Sequence, residues 1–336
     1  MTEAEFLAAL RTLPLHAGAQ DLRDDSARLG ELVLTTDTIV EGVHYLAGDP
    51  SGDVAWKLLA VNLSDLAAKG AVAEGVLLNY PLRASSPAQA GAPLGDEYGE
   101  GQHAVTSAFP TGPRPSPGNI SKGWDAAFLA GLSAALTRFA CPLLGGDTVS
   151  LPADAPRVIT LTAIGRAAAP PARSGAQAGD ALYVTGTIGD AGAGLRIARG
   201  EPGPAALLCA YRRPQPRLAE GRALTPVAHA MMDVSDGLLI DAARMAEASS
   251  LALTIDLAAV PLSAEYRAFA GDDRPARLAA ATAGDDYQLL FAAPEDFTPP
   301  VAATCIGRFA PGDGLTLTDA GEAIALPASL GFTHGA

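Results

Sequence analysis

The sequence predicts a chain of two mixed domains, of α/β (α+β) class, and three observations support this prediction. The chain has 336 residues, which is enough for two separate hydrophobic cores. Segments with strand-like and helix-like apolar spacing alternate along it. Residues 168–180, AAPPARSGAQAGD, are rich in Ala, Pro and Gly and interrupt that spacing, as an inter-domain linker does. We therefore expect one domain at residues 1–167 and a second at residues 168–336.

The first domain combines helices and strands. Its predicted helices and strands are a helix at 3–13, a strand at 31–37, a helix at 53–69, a strand at 74–80, a helix at 124–138 and a strand at 157–166. Between two of them, residues 85–122 are about a third Gly and Pro and show no sustained period. An irregular segment of this length is uncommon inside a compact domain, so we predict a flexible insertion.

The second domain repeats the alternation. Its predicted elements are strands at 181–185, 231–234, 252–256, 287–292 and 303–308, with one helix after the glycine-rich turn at 183–195 and another at 237–248. The glycine-rich turn leaves two readings open. It can offer backbone N–H groups to a phosphate, or it can serve tight strand–helix packing. It contains neither a Walker A loop nor a clean GxGxxG motif.

Composition narrows the class of function. Hydrophobic residues make up 49% of the chain, charged residues 18%, and the formal net charge is −14. An acidic chain does not favour nucleic-acid binding, which relies on Lys and Arg. No uncharged apolar run reaches ~18 residues, so no membrane span is predicted. The N-terminus lacks a signal-peptide layout. The three cysteines are widely spaced without a CxxC motif, which fits a reducing cytoplasm.

Five acidic segments share one pattern: an apolar run, a sharp turn, and an Asp beside small or hydroxylic residues. They are RDDSARL, LTTDT, NLSDLAAKG, LLGGDTVS and MMDVSDGLLID, and they place Asp25, Asp37, Asp65, Asp147 and Asp233 at the predicted ends of elements. Carboxylates that converge repel one another unless cations intervene. Oxygen ligands suit Mg²⁺, and Mg²⁺ suggests a nucleotide polyphosphate. Any single Asp, however, is also an ordinary turn former or helix cap, Asp236 especially.

Two other side chains have open roles. Arg173 either clamps a phosphate or is a solvated linker residue. His44 is a ligand, a base or a structural residue at the edge of the core. No Ser-His-Asp order and no HExxH motif is present, so a hydrolytic function finds little support.

Read in order, several segments resemble the thiamine-monophosphate kinase family, which belongs to the ATP-binding superfamily typified by aminoimidazole ribonucleotide synthetase. These segments are TTDTIVEGVHY, KLLAVNLSDLAAKGA, LLGGDTVS, RSGAQAGDALYVTGTIGDAGAGL, MMDVSDGLLID and AGDDYQLLF. The resemblance covers nearly the whole chain apart from residues 85–122. It implies a two-domain synthetase-type fold with an ATP cleft between the domains, and N-terminal domains that pair in a homodimer.

The resemblance also implies an activity: transfer of the γ-phosphoryl group of ATP to thiamine monophosphate, with several Mg²⁺ ions. The implied metal ligands are Asp25, Thr35, Thr36, Asp37, Asp65, Asp147, Asp233 and Asp236, of which Asp37, Asp147 and Asp233 are the catalytic candidates. The implied ATP contacts are Gly146, Asp147, Arg173 and Ser235. The implied thiamine phosphate contacts are His44, Asp285 and Phe332. The acceptor is already an anionic phosphate oxygen, so no general base is required.

Two segments depart from the family pattern. Residues 21–25 read DLRDD where the family has GIGDD, so both glycines are replaced. Residues 283–286 read AGDD where the family has GGED, which shortens one carboxylate by a methylene. Two alternatives stay open: a sister enzyme of the same superfamily, and a catalytically impaired ATP-binding scaffold. Selenophosphate synthetase is disfavoured, because no cysteine precedes Cys141.

Overall fold

The computed structural model describes residues 2–83 and 123–333, and it contains two sheets. The first sheet has the strand order β1-β2-β5-β3-β4. Its neighbours are antiparallel except for the parallel pair β3–β4. The elements of this half are α1 (Glu3–Leu10), β1 (Ala27–Leu29), β2 (Leu32–Val40), α2 (Ser51–Ala68), β3 (Val72–Arg83), α3 (Trp124–Arg138), β4 (Leu143–Leu151) and β5 (Val158–Arg166).

One face of the first sheet is covered by α2 and α3. Leu58 and Leu63 of α2 and Phe128 of α3 pack on Ile159 and Leu161 of β5, and all five are fully buried. Strand residues alternate between faces. The side chains of β2 that belong to this covered face are therefore Val33, Thr35, Asp37 and Ile39. The opposite face has no covering layer among the described residues, and several apolar side chains of the sheet are exposed to solvent.

The second sheet has the strand order β12-β11-β8-β10-β6-β9-β7, with β8–β11 as its parallel pair. The elements of this half are β6 (Ala181–Thr185), α4 (Asp190–Ala198), α5 (Ala205–Arg212), α6 (Leu218–Leu224), β7 (Ala230–Asp233), α7 (Leu238–Ser249), β8 (Ala252–Asp256), α8 (Ala264–Ala270), α9 (Arg274–Ala281), β9 (Leu289–Ala293), β10 (Ala303–Ala310), β11 (Leu315–Asp319) and β12 (Glu322–Ile324). Leu182, Ile255 and Leu290 lie in its core beside α7.

Helix α2 packs against both halves of the chain. A buried cluster joins its residues Ala67 and Ala68 to Met231 of β7 and Phe291 of β9. Asp49, just before α2, binds the second half through Tyr211 (O–O 3.1 Å) and Arg212 (N–O 2.9 Å). The two sheets are therefore held together by an apolar and a polar contact region that share one helix.

The predicted α/β (α+β) class with two sheets is confirmed, and most predicted elements lie within a few residues of their observed bounds. The first helix ends at Leu10 rather than residue 13, ahead of Pro14. The sharp turn predicted within the acidic segment 143–150 is wrong, because these residues form most of β4. The predicted insertion, 85–122, lies outside the described residues. Helices α5, α6, α8 and α9 and strands β1, β4, β11 and β12 were not predicted.

Within residues 2–83 and 123–333, none of the helices combines the length and the apolar character needed to cross a membrane.

Candidate active site

Three aspartates from three separate elements converge where the two halves meet. Asp25 precedes β1, Asp65 lies one turn before the end of α2, and Asp233 ends β7. One carboxylate oxygen from each lies within 4.8 Å of the other two. Of the five aspartates expected at the ends of elements, these three converge. Two of the five lie inside elements: Asp37 because β2 runs on to Val40, past its predicted end, and Asp65 because it lies in the last turn of α2.

Asp37 and Thr35 extend the cluster along β2. The Thr35 hydroxyl donates to the Asp65 carboxylate. The Asp37 backbone N–H donates to the Asn62 side chain of α2 (3.1 Å), which fixes the strand against the helix. Burial, together with the charges of Asp25 and Asp236, raises the pKa of Asp37 to about 6. Burial and the charges of Asp37, Asp233 and Asp25 raise the pKa of Asp65 well above its usual range. Among the residues that the structure describes, no cation is paired with Asp37 or Asp65, so a bound cation would stabilise their ionised forms.

Asp25 has a different environment, because two cations contact it. Arg173 forms an ion pair with one of its oxygens, and Lys69 lies 3.7 Å from the other. Burial opposes ionisation of Asp25, but the charges of Arg173 and Lys69 outweigh it and lower its pKa. The neighbouring Asp24 accepts from the Arg173 backbone N–H (3.1 Å). Arg173, predicted as a possible phosphate clamp, thus lies at the aspartate cluster in this structure, bound to a carboxylate.

The loop after β7 forms a second acidic corner. Asp241 of α7 accepts hydrogen bonds from the backbone N–H groups of Ser235 (3.0 Å), Asp236 (3.0 Å) and Gly237 (3.2 Å). Arg244 pairs with Asp236 at 2.5 Å and with Asp241 at 2.9 Å. The loop is thereby held in one conformation that presents Ser235 and Asp236 beside the cluster. The alternative role of Asp236 as a helix cap does not apply, since no side chain caps the N-terminus of α7.

Asp285 lies next to this loop, since its backbone N–H donates to the Ser235 carbonyl (2.7 Å). Lys57 of α2 binds one oxygen of Asp285 at 2.7 Å, and the Tyr287 hydroxyl donates to the other at 3.0 Å. Both Asp285 (φ 63°) and Tyr287 (φ 50°) adopt the left-handed conformation, which is uncommon for residues other than glycine. Such backbone strain concentrates at functional sites. The contacts with Lys57 and Tyr287 hold the carboxylate of Asp285 in a defined place, although it is one methylene shorter than the glutamate of the family pattern.

The remaining two predicted acceptor contacts flank the same region. The His44 ring accepts from the Val40 backbone N–H (3.1 Å), and the His44 carbonyl accepts from Lys57 (3.0 Å). The Phe332 backbone N–H donates to the Asp236 carbonyl (2.9 Å), and its side chain is 44% exposed. Lys57 therefore links His44 to Asp285, while Phe332 lies at the rim beside the acidic loop.

Three predicted site residues do not join the cluster. Asp37 of β2 aligns across β5 and β3 with Gly146 of β4, three strand spacings or about 14 Å away. Asp147 pairs with Asn79 of β3, and Thr36 pairs with Thr162 of β5. The side chains of Asp147 and Thr36 therefore belong to the uncovered face of the sheet. The Thr36 hydroxyl donates to the Leu161 carbonyl (3.3 Å), so it is no ligand of this cluster here.

Of the two readings of the glycine-rich turn, phosphate binding and tight strand–helix packing, the contacts of Gly189 favour packing. The Gly189 backbone N–H donates to both carboxylate oxygens of Asp286 (3.0 and 2.9 Å). A Cβ at Gly189 would lie 2.5 Å from the Ala280 side chain, so a close approach of α9 requires glycine there. At Gly189 the turn is therefore bound to the protein's own carboxylate rather than open to a ligand.

The loop that lacks the family glycines keeps a glycine-like backbone. Gln20, Asp21 and Leu22 all adopt positive φ, between 52° and 54°. Arg11 of the N-terminal region donates to the carbonyls of Asp21 (2.9 Å) and Leu22 (3.2 Å). These contacts hold a strained turn in place and position Asp24 and Asp25, which follow it.

Several polar residues of the site were not predicted from sequence. They are Asp24, Lys57, Asn62, Lys69, Asp241, Arg244 and Tyr287. Lys57, Asn62 and Lys69 lie on the α2 segment, whose neighbouring side chains are apolar. Charged or amide side chains inside such a buried helix are rare unless they are paired, and this is the signal that indicates a polar site beneath α2.

The comparisons with known proteins agree with this geometry. Family models described as AIR synthase related protein match twice: the N-terminal domain model at residues 23–94 and 99–167, and the C-terminal domain model at residues 177–325. The chain thus consists of the two domains of the AIR synthase-related proteins.

Relatives define the family more narrowly. A thiamine-monophosphate kinase of Caulobacter vibrioides is 35% identical over 99% of this chain and 91% of its own length. The thiamine-monophosphate kinase of Escherichia coli K12 is 32% identical over 88% of this chain and 84% of its own. A solved structure of AaThiL complexed with AMPPCP and TMP superposes with a TM-score of 0.77 at 26% identity, covering 99% of this chain and 97% of that one. The chain belongs to the thiamine-monophosphate kinase family.

Proposed function

We propose that the chain phosphorylates thiamine monophosphate to thiamine diphosphate with ATP as the phosphoryl donor and Mg²⁺ as the metal. Family membership supports the reaction, and the AaThiL complex with AMPPCP and TMP supports the two ligands. The observation that carries the proposal is the convergence of Asp25, Asp65 and Asp233 at the junction of the two halves. Phosphoryl transfer between two polyanions requires bound cations that neutralise their charges, and clustered carboxylates can hold such cations.

The residues of the cluster fit magnesium. Every candidate ligand offers oxygen, and one buried oxygen of Asp25, Oδ2, has no hydrogen-bond donor in the part of the chain that the structure describes. We infer that Asp25, Thr35, Asp37, Asp65, Asp233 and Asp236 would hold the ions. Bound Mg²⁺ would neutralise charge on the phosphates and supply electrostatic stabilisation of the transferring group.

The protein's own residues orient the two substrates. Ser235, on the loop braced by Asp241, is the proposed nucleotide contact, and Arg173 lies at the cluster where a guanidinium can reach a phosphate. On the acceptor side, the Lys57–Asp285 pair, His44 and Phe332 surround the proposed position of thiamine monophosphate. Because the attacking atom is a phosphate oxygen, these residues need only to position it and to exclude alternatives.

A second copy of the chain is the proposed partner. Among the described residues, the uncovered face of the first sheet exposes Leu77, Val149 and Val158, and apolar groups in such numbers on one face mark an interface. Asp147 lies on the same face, about 14 Å or more from the cluster of its own chain. We infer that the N-terminal halves pair through this face and that Asp147 serves the site of the second copy.

A mixed-dimer assay tests the second copy's contribution. An Asp37→Asn chain and an Asp147→Asn chain are each expected to be inactive alone. If Asp147 acts across the dimer, a mixed dimer carries one site with both defects and one intact site, so about half of the wild-type activity per dimer returns. If Asp147 acts within its own chain, both sites are defective and no activity returns.

The reaction itself is tested by product analysis. Purified protein is incubated with ATP, Mg²⁺ and thiamine monophosphate, and thiamine diphosphate is measured by chromatography with unphosphorylated thiamine as the control acceptor. Product from the monophosphate alone supports the proposal. Measurable ATP binding without product on either acceptor would contradict it and favour a scaffold or a sister enzyme.

The remaining features of the proposal concern compartment and domain limits. Cys141, Cys209 and Cys305 are unpaired, which supports a reducing cytoplasm. The net charge of −14 supports a partner set without nucleic acid. A division into residues 1–167 and 168–336 is consistent with one sheet on each side of the boundary, and we retain it as a proposal.

A further inference from the structure

Lys69 is a buried cation beside the proposed metal cluster. It follows α2 and lies four residues after Asp65, so the two residues share one side of the chain where the helix ends. Only 1% of Lys69 is exposed to solvent. Its Nζ atom lies 2.5 Å from Asp24, 3.7 Å from Asp25 and 3.3 Å from the Met231 carbonyl. A lysine is rarely buried to this degree unless its charge is balanced.

The Lys69 ammonium group lies between carboxylates, where a bound cation would also lie. Asp24 Oδ1 and Asp25 Oδ2 are buried, and neither has a hydrogen-bond donor by geometry within the described residues. Lys69 supplies the positive charge beside both oxygens, and Arg173 adds a second positive charge at Asp25. Asp25 is also one of the three aspartates of the metal cluster. Lys69 therefore competes electrostatically with any divalent cation that binds there.

The loop that carries Asp24 and Asp25 has anchors that do not depend on Lys69. The Arg173 backbone N–H and its guanidinium bind Asp24 and Asp25 respectively. Arg11 binds the carbonyls of the preceding turn. Removal of the Lys69 charge therefore changes the electrostatics of the cluster more than the position of its ligands.

We propose that Lys69 is an internal counter-ion of the metal site. It neutralises Asp24 and Asp25 in the metal-free protein and weakens the binding of the divalent cation at Asp25, Asp65 and Asp233. This inference rests on the proposed metal site. Its physical consequence is that the cluster remains folded and ordered between turnovers without requiring every cation position to be filled by metal.

The test measures Mn²⁺ binding to the full-length protein without nucleotide, by titration calorimetry and by the loss of the free Mn²⁺ resonance signal. Lys69→Met keeps the length of the side chain and removes its charge. We expect this variant to bind Mn²⁺ about tenfold more tightly than wild type, and to unfold at a lower temperature in chelator with a larger stabilisation by Mn²⁺. Asp24→Asn, which frees Lys69 to pair with Asp25, is expected to bind Mn²⁺ about tenfold more weakly.

Lys69→Met and Asp24→Asn are expected to change the Mn²⁺ affinity in opposite directions. If Lys69 had only a structural role, the two changes would not have opposite signs. Lys57→Met is the matched control, because Lys57 of α2 is nearly as buried as Lys69 but pairs with Asp285. Its Mn²⁺ affinity should equal that of wild type. Equal or weaker binding in Lys69→Met overturns the role of Lys69. If Lys69→Met does not fold, unchanged or tighter binding in Asp24→Asn overturns it. No Mn²⁺ binding by the wild type overturns the metal site itself.

Discussion

Replacement of Asp37 by Asn should stabilise the metal-free protein while it abolishes catalysis. The pKa of Asp37 is raised from 3.8 to about 6 by burial and by the charges of Asp25 and Asp236. One unit of pKa corresponds to about 1.4 kcal/mol, so ionised Asp37 costs the folded state about 3 kcal/mol at pH 8. Asparagine has nearly the same shape and carries no charge, so the substitution removes that cost.

The sign of the pH dependence follows from the direction of the shift. The folded-state pKa lies above the unfolded one, so the folded protein retains the proton more strongly and the cost falls as pH falls. From 3.8 and about 6, the expected gain in the free energy of unfolding is about 3 kcal/mol at pH 8, about 1.5 kcal/mol at pH 5 and about 0.5 kcal/mol at pH 4. Turnover with Mg²⁺ should fall by about 10²–10³-fold, as when one electrostatic contact to the transition state is removed.

Urea denaturation in chelator, at the three pH values, measures the gain. Asp313→Asn is the matched control, because it makes the same charge change at an exposed loop position of the second half and should shift stability by less than about 0.5 kcal/mol. Saturating Mg²⁺ should reverse the ranking, since it stabilises the wild type by mass action. A variant that is less stable than wild type at pH 8 without metal, or a gain that does not depend on pH, would refute the electrostatic reasoning.

Two further predictions concern the acceptor side and the strained turn. Lys57→Met breaks the 2.7 Å ion pair with Asp285, and we expect KM for thiamine monophosphate to rise about tenfold with KM for ATP nearly unchanged; equal changes in both constants would contradict a role on the acceptor side. Asp21→Gly relieves a left-handed backbone at φ 54° and should raise the free energy of unfolding by about 1 kcal/mol, measured by urea denaturation; Arg23→Gly, at φ −113°, is the control, where the added chain entropy should give no gain.

The convergence of Asp25, Asp65 and Asp233 could be predicted from sequence, because the pattern of an apolar run followed by an Asp is local. Asp233 ends a buried strand and Asp65 lies near the end of a buried helix, and both placements can be read from apolar spacing. The sequence did not reveal which face of the sheet a side chain would occupy. Thr36 and Asp147 were assigned to the metal on motif alone, while strand register places both on the opposite face from Asp37.

The cations of the site were harder to predict for a different reason. Lys57, Lys69 and Arg244 are separated in sequence from Asp285, Asp24 and Asp236, except for the last pair, which is eight residues apart. The Lys57–Asp285 pair crosses the domain junction and depends on the packing of α2 against the second half, while the Lys69–Asp24 pair depends on tertiary packing within the first half. No local propensity encodes either pair. The positive φ of Asp21 and Asp285 is likewise imposed by neighbouring contacts rather than by residue type.

The two halves are separate along the sequence, but helix α2 couples their folding. Its last turn belongs to a buried cluster with Met231 and Phe291, so separating the halves near residue 168 would expose apolar surface on both fragments. The two sheets should therefore melt in a single calorimetric transition, as one cooperative unit. Asp25, Asp65 and Asp233, which come from both halves, should then separate only by local loop motion or by global unfolding.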